Sequence, residues 1–180
     1  MAAEEKAPGR AVGVEYMSDE KAMRDILQRH FGNNPYSVEG SCYNKNGEKV
    51  FVVLTRSDRH LFLYLYSLST YRSFSPHPML SATVYCDEEY EEKYVRLDDI
   101  LPVENGVGNG SILMYYFLNY CIYHTDALCV TGMISSVDTR DNNDRTHESR
   151  LRHFYEKHGF KVTIDENGEG KAVYTIERRK

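Results

Sequence analysis

Residues Arg96–Tyr123 read RLDDILPVENGVGNGSILMYYFLNYCIY, and they decide the fold. The apolar and acidic run Tyr94–Val103 has the β-forming content of a strand. A turn follows with Gly106, Gly108 and Gly110 at every second position. From Ser111 the run Ile112–Leu118 carries neither glycine nor proline, which predicts a helix. A strand, a glycine turn and a helix N-terminus together make a candidate anion site. The first N–H groups of a helix have no internal partner, and the peptide dipoles put partial positive charge there. Glycines remove the Cβ atoms that would hold a phosphate away, and they permit positive φ where amides converge.

Two phosphate motifs are excluded. The dinucleotide fingerprint lacks its third glycine at the required offset. The NTPase phosphate loop lacks the Lys-Ser or Lys-Thr pair after the glycines. A phosphate or pyrophosphate cradle of another kind remains, beside the plain alternative of a turn that does nothing more.

At 180 residues the chain is read as a single domain spanning 1–180, with Met1–Glu15 as a loose leader because it shows no periodicity. Fifteen tyrosines against no tryptophan predict many half-buried positions with a polar tip. A formal charge of -5 argues against broad nucleic-acid binding, since that needs a basic face, and it suits a cationic substrate. Cys42, Cys86, Cys121 and Cys129 show no C-x-x-C spacing and read as buried, reduced thiols rather than metal ligands. No metal is expected. Met1–Arg10 is polar, without a signal-peptide pattern, and no apolar run is long enough to span a bilayer. The expected location is cytoplasmic, away from membranes.

Outward from the glycine turn, Ser18 can cap a helix carrying Met23, Ile26, Leu27 and His30, with Gly32 as its stop. Strands are expected over Ser37–Tyr43, Lys49–Thr55, Leu61–Tyr66 and Ser81–Cys86. Asn44–Gly47 is a hairpin turn, Arg56–Arg59 a polar turn, Leu68–Pro78 a loop and Asp87–Glu92 an acidic turn. The helix after Gly110 is apolar on nearly all sides, interrupted by Asn119, and is expected to be covered all round. Ala127–Ile134 reads as a strand buried on both faces, joined to the strand before the glycines by a right-handed crossover. A helix over Glu148–His158 stops at Gly159, and strands follow over Phe160–Ile164 and Ala172–Ile176.

Two stretches resemble one family. Asn105–Met114 and Leu151–Phe160 are similar to the glycine loop and the Tyr-x-x-x-Gly-Phe helix end of the GNAT superfamily of acyl-CoA-dependent N-acyltransferases. The resemblance covers Tyr94 to Ile176. It implies an α/β fold: a mixed, mostly antiparallel sheet with a splayed parallel central strand pair and helices on both faces. It implies acetyl-CoA as co-substrate and a small-molecule or protein amine as acceptor, attacked directly in a ternary complex. Asn105, Gly106, Val107, Gly108, Asn109, Gly110 and Ser111 would hold the coenzyme A diphosphate. Ile100, Leu101 and Val103 would offer backbone groups to the pantetheine arm. Asn105 stands where the family has Gln or Arg, and Glu148 where many members have Asn, for which Asn142 or Asn143 would substitute.

Tyr155 matches the tyrosine that protonates the departing sulfur in many members. A phenol of pKa about 10 holds a proton at neutral pH, as that role requires. The plain alternative is a core aromatic at helical spacing. Asp99 is assigned as general base, with Asp98, Glu104 and Glu92 as alternatives. Strand alternation would put Asp98 and Asp99 on opposite faces, so that only one looks into the site. The rival reading is a non-catalytic module that binds acyl-CoA or a protein partner. A toxin acting on aminoacyl-tRNA is disfavoured by the acidic charge. Acceptor pockets are expected from Glu15–Cys86, and the apolar helix with the β-rich first half makes a homodimer plausible.

Overall fold

The computed structural model describes residues 18–69, 77–86, 93–134, 145–166 and 169–178. The elements run α1 (Asp19–Phe31), β1 (Ser37–Tyr43), β2 (Lys49–Ser57), β3 (His60–Tyr66), β4 (Met79–Tyr85), β5 (Tyr94–Leu101), α2 (Asn109–His124), β6 (Cys129–Ile134), α3 (Arg145–Lys157), β7 (Lys161–Ile164) and β8 (Gly170–Thr175). The strands form one eight-stranded sheet in the order β1-β2-β3-β4-β5-β6-β8-β7. Every pairing is antiparallel except β5 with β6.

Strand alternation sorts the side chains into two cores. Val50 and Val52 of β2, with Leu61, Leu63, Leu65, Leu80, Ala82, Val95 and Leu97 on the neighbouring strands, pack under Leu113, Met114 and Phe117 of α2. Phe51, Val53 and Tyr66 face the other way and pack under Met23, Ile26 and Leu27 of α1. Tyr155 of α3 joins the α2 side. Helices therefore cover both faces of a mixed, mostly antiparallel sheet with a parallel central pair, the architecture that the sequence resemblance implied.

The parallel pair is a fork. Its register joins Tyr94–Leu97 to Cys129–Gly132 and goes no further, so Asp99–Leu101 keep β4 on one side and, among the described residues, have no strand on the other. β5 stops at Leu101, short of Val103, because Pro102 has no N–H to continue a ladder and Val103 takes a left-handed φ of 64°. α2 begins at Asn109, two residues before Ser111, and runs unbroken through Asn119 to His124.

Two burial expectations are corrected. Tyr115 and Tyr123 stand 62% and 75% exposed, so the outer side of α2 is not covered. β6 is buried only toward α2, and Met133 on its other side is 65% exposed, because α1 lies over β2 and β3 and does not reach it. The turn after β2 is tighter than expected: the strand runs to Ser57, and Asp58 turns the chain with φ 51°. Leu68 and Ser69 are helical. The remaining loop to 76, the acidic turn 87–92 and the leader lie outside the described residues. None of the four cysteines forms a disulfide among the described residues; Cys121 is fully buried and the others are half-buried.

Candidate active site

The fork opens into a cavity of about 440 Å³, lined by Asp98, Asp99 and Ile100 from β5, Met133 from β6, Asn105, Gly106 and Gly110 from the glycine turn, and Tyr155 with its neighbours from α3. α3 delivers its residues by helical spacing, with Leu151, Phe154, Tyr155 and His158 on one side. Gly159, at φ 85°, ends the helix. The Phe154 ring packs on Gly110, where an added Cβ would lie 3.4 Å away. His158 Nε2 lies 3.2 Å from Ser111 Oγ, and Lys157 Nζ donates to the same oxygen at 3.4 Å. These contacts tie the end of α3 to the start of α2.

Tyr155 is 8% exposed. Its hydroxyl lies over Gly132, where a Cβ would meet the phenol oxygen at 3.2 Å. Gly132 is also the last residue of β6 paired with β5. The phenol thus stands at the point where the two strands part.

The two aspartates correct the alternation argument. Ala82 pairs with Leu97 and Ser81 with Asp99, so β5 carries one extra residue, Asp98, at a β-bulge. Leu97 and Ile100 both face the α2 side, opposite Ala82 and Leu80, and between them Asp98 and Asp99 share the other face. Both line the cavity. Asp98 is engaged: Arg96 Nε donates to its Oδ1 at 2.6 Å, and Thr83 Oγ1 donates to its Oδ2 at 2.6 Å. His60 Nδ1 stands 3.4 Å behind the Thr83 hydroxyl. No such partner holds Asp99 among the described residues, which leaves its carboxylate available. Glu104 lies on a different cavity, and Glu92 lies outside the described residues.

The glycine turn presents the start of α2. Gly108 is the N-cap at φ 90°, no side chain caps the helix, and its first turn holds no acid. The first intrahelical bond runs from Ile112 N–H to the Gly108 carbonyl at 3.1 Å, so the preceding amides of the first turn have no helical acceptor. A second cavity of about 180 Å³ lies against them, lined by Lys45, Asn105, Gly106, Gly108, Asn109, Gly110 and Ser111 among others. Val107 is buried, and its carbonyl accepts from Lys45 N–H at 2.8 Å. The Asn109 side chain donates to the Pro102 carbonyl at 3.4 Å, while its Oδ1 is buried with no partner. A helix end without cap or acid, with an orphaned acceptor beside it, fits a ligand that carries both anionic oxygens and N–H groups, as coenzyme A does.

Among the other expected residues, Ile100 lines the larger cavity, whereas Leu101 and Val103 are 48% and 52% exposed and line neither. Leu101 pairs with Met79 on β4. Asn142 and Asn143 lie outside the described residues, and only the backbone of Glu148, within α3, is described. Sequence reasoning missed Lys45, Met133 and the Thr83–His60 support of Asp98. Nothing local marks them, because each arrives through sheet register. Neither cavity is lined by a cysteine among the described residues, and burial pushes the Cys121 thiol up. Among the described residues no group of His, Cys, Asp and Glu is placed to hold a metal, and no helix is long and apolar enough to cross a membrane.

Fork, uncapped helix and flanking phenol define an α/β protein with a cleft at the parting of its parallel strands. No family model matches the chain. It is similar to the uncharacterized protein YocC of Bacillus subtilis (strain 168), 34% identical over 88 residues, or 49% of this chain and 48% of that protein. The chain thus spans about half the length of the curated relative it matches. Two solved structures are also similar. One is Arabidopsis thaliana NAA60 in complex with a bisubstrate analogue, at 10% identity and TM-score 0.48 over 68% of this chain and 80% of that one. The other is the Campylobacter jejuni N-acetyltransferase PseH in complex with acetyl coenzyme A, at 10% identity and TM-score 0.43 over 90% of this chain and 82% of that one.

Proposed function

We propose that the chain transfers an acetyl group from acetyl-coenzyme A to a primary amine by direct attack in a ternary complex. The observation that carries this reading is the meeting of three groups at the fork. The Tyr155 phenol over Gly132, the available carboxylate of Asp99 and the glycine turn all line one cavity.

Acetyl-coenzyme A supplies the thioester carbon. First-turn amides of α2 hold its diphosphate, and the edge of β5 from Asp98 to Leu101, which no described strand pairs on the β6 side, leaves backbone groups for its amide-bearing arm. Asp99 takes a proton from the incoming ammonium, which frees the nitrogen lone pair to attack the carbonyl carbon. The C–N bond forms, the C–S bond breaks, and the electron pair leaves on sulfur. The nitrogen, still carrying one proton more than the amide, loses it to water. Tyr155 gives its phenolic proton to the thiolate and is reprotonated from solvent, to which Asp99 releases the proton it took. Asp98, tied to Arg96 and Thr83, supplies a fixed negative charge beside the amine. Covalent catalysis has no support, since no described cysteine lines the cavity. Acceptor and diphosphate would enter by different routes: the aspartates lie on the sheet face opposite α2, and the glycine turn lies at its N-terminus.

The assay is release of free thiol from acetyl-coenzyme A against a panel of primary amines. In Tyr155→Phe turnover should fall roughly 10²–10⁴-fold with little change in coenzyme A affinity. Unchanged turnover would remove Tyr155 from the chemistry. The second reading, a non-catalytic acyl-CoA-binding or protein-interaction module, is favoured by Asn105 and Glu148, both departures from the family pattern. Calorimetric binding of acetyl-coenzyme A with no thiol release on any amine would decide for it.

A further inference from the structure

A diphosphate at the start of α2 would lack a cation from the turn that holds it. Between Pro102 and Gly108 the only charged side chain is Glu104, which lines the same outer cavity and repels an anion. The helix end supplies about half a unit charge, and Asn105 supplies none.

The β1–β2 hairpin brings what is missing. Its turn is held rigidly: the buried Asn44 side chain accepts from Asn46 N–H at 3.0 Å and Glu48 N–H at 3.1 Å, and Gly47 N–H donates to the Asn44 carbonyl at 3.0 Å. Lys45 N–H then docks the turn on the Val107 carbonyl at 2.8 Å. The Lys45 stem crosses the face of Gly108, where an added Cβ would meet its Cγ, Cδ and Cε at 3.3, 3.7 and 3.8 Å. An independent sign of a ligand lies in the same cavity: Asn109, only 8% exposed, keeps Oδ1 without a donor. Lys157, by contrast, reaches Ser111 Oγ and is not among the residues lining this cavity.

We propose that Lys45, carried by the β1–β2 hairpin onto the N-terminal turn of α2, is the cation that grips the diphosphate of the acyl-coenzyme A co-substrate. The assignment rests on the acyl-CoA reading above. It makes the glycine turn a two-part site, with amides from one half of the chain and charge from the other.

The test is titration calorimetry of the whole chain with coenzyme A, dephospho-coenzyme A and pantetheine. The proteins are the parent, Lys45→Gln, Lys45→Arg and the control Lys21→Gln, which removes the same charge from α1. Any non-proline residue at 45 keeps the backbone bond to Val107, so the hairpin stays docked. Lys45→Gln should weaken coenzyme A and dephospho-coenzyme A alike by about 10–100-fold, and Lys45→Arg should recover most of the loss. Pantetheine, which has no phosphate, should bind all four proteins equally. KM for acetyl-coenzyme A should rise in Lys45→Gln while kcat at saturation holds.

Parent-like affinity of Lys45→Gln, or an equal loss in Lys21→Gln, overturns the assignment. A loss seen with coenzyme A but not with dephospho-coenzyme A overturns it as well, because the charge would then serve the 3′-phosphate. A folded parent that binds no coenzyme A would instead end the acyl-CoA reading itself.

Discussion

The two helix N-termini on opposite faces of the sheet are built to opposite specifications. α1 is closed by its own chain: Ser18 caps it, accepting from Lys21 N–H at 3.4 Å, and Asp19 and Glu20 fill its first turn. Lys49 in turn pairs with Glu20 at 2.5 Å. α2 has a glycine for a cap, no capping side chain and no acid in its first turn. A side-chain cap is worth about 1 kcal/mol, and α2 goes without it. It can do so because Leu113, Met114, Phe117, Leu118 and Cys121 anchor it in the larger core. One end is closed by its own side chains. The other is left open toward a cavity.

The contrast breaks most sharply at the glycines with positive φ. Gly108→Val puts a β-branched residue at φ 90° against the Lys45 stem, and it should cost about 1–3 kcal/mol of stability and abolish measurable coenzyme A binding. Gly32→Ala, at the far end of α1 with φ 56°, should cost stability through the same strain while coenzyme A affinity holds. Denaturant midpoints alongside calorimetry read both. Equal affinity losses in the two variants would mean that binding only reports folding.

A smaller effect sharpens the comparison by making the open end resemble the closed one. Ser111→Glu places a carboxylate in the first turn of α2, near Lys157 and His158. Stability should rise by about 0.3–1 kcal/mol, and coenzyme A affinity should drop roughly tenfold as the charge repels the diphosphate. The converse change, Ser18→Ala, should cost about 1 kcal/mol of stability and leave affinity untouched. If Ser111→Glu binds coenzyme A as well as the parent, α2's first turn is not the phosphate site.

The smallest effect follows pH. Burial, then the neighbouring Lys157 ammonium, hold the His158 imidazole below its usual range, and burial does the same for His77 beside Tyr66. The folded chain therefore binds protons less readily at these rings than the unfolded chain does. Stability should be intact above the unfolded value near 6.5 and be lost as pH falls from there toward the lowered folded values. His158→Gln should lessen the acid-side loss measured by denaturant midpoints between pH 7.5 and pH 5. A slope identical to the parent's would show that His158 does not contribute.

Much of this was legible in the chain. Ser18, the Met23–Ile26–Leu27 spacing and Gly32 predict α1 to within a residue, and the Asn-Gly pair predicts the first hairpin. Those signals are local: caps, periods and turns act within a few residues of backbone. The α2 N-terminus was legible too, though its start shifted to Asn109 because Gly108 could take the left-handed cap conformation. Alternation failed at Asp98 and Asp99, since a bulge depends on how β4 pairs with β5 and not on β5 alone.

By itself, then, the order of residues determined which segments become helices and strands, where they stop, and that one helix would begin at bare glycines. The folded sheet decided the rest. Pairing register set how far β5 and β6 run together before parting, the bulge turned both carboxylates to one face, and hairpin docking carried Lys45 across Gly108. The physical reason is range. Backbone preference and capping are settled among near neighbours, whereas the meeting of groups far apart in the chain is settled only when ladders and cores lock their elements together.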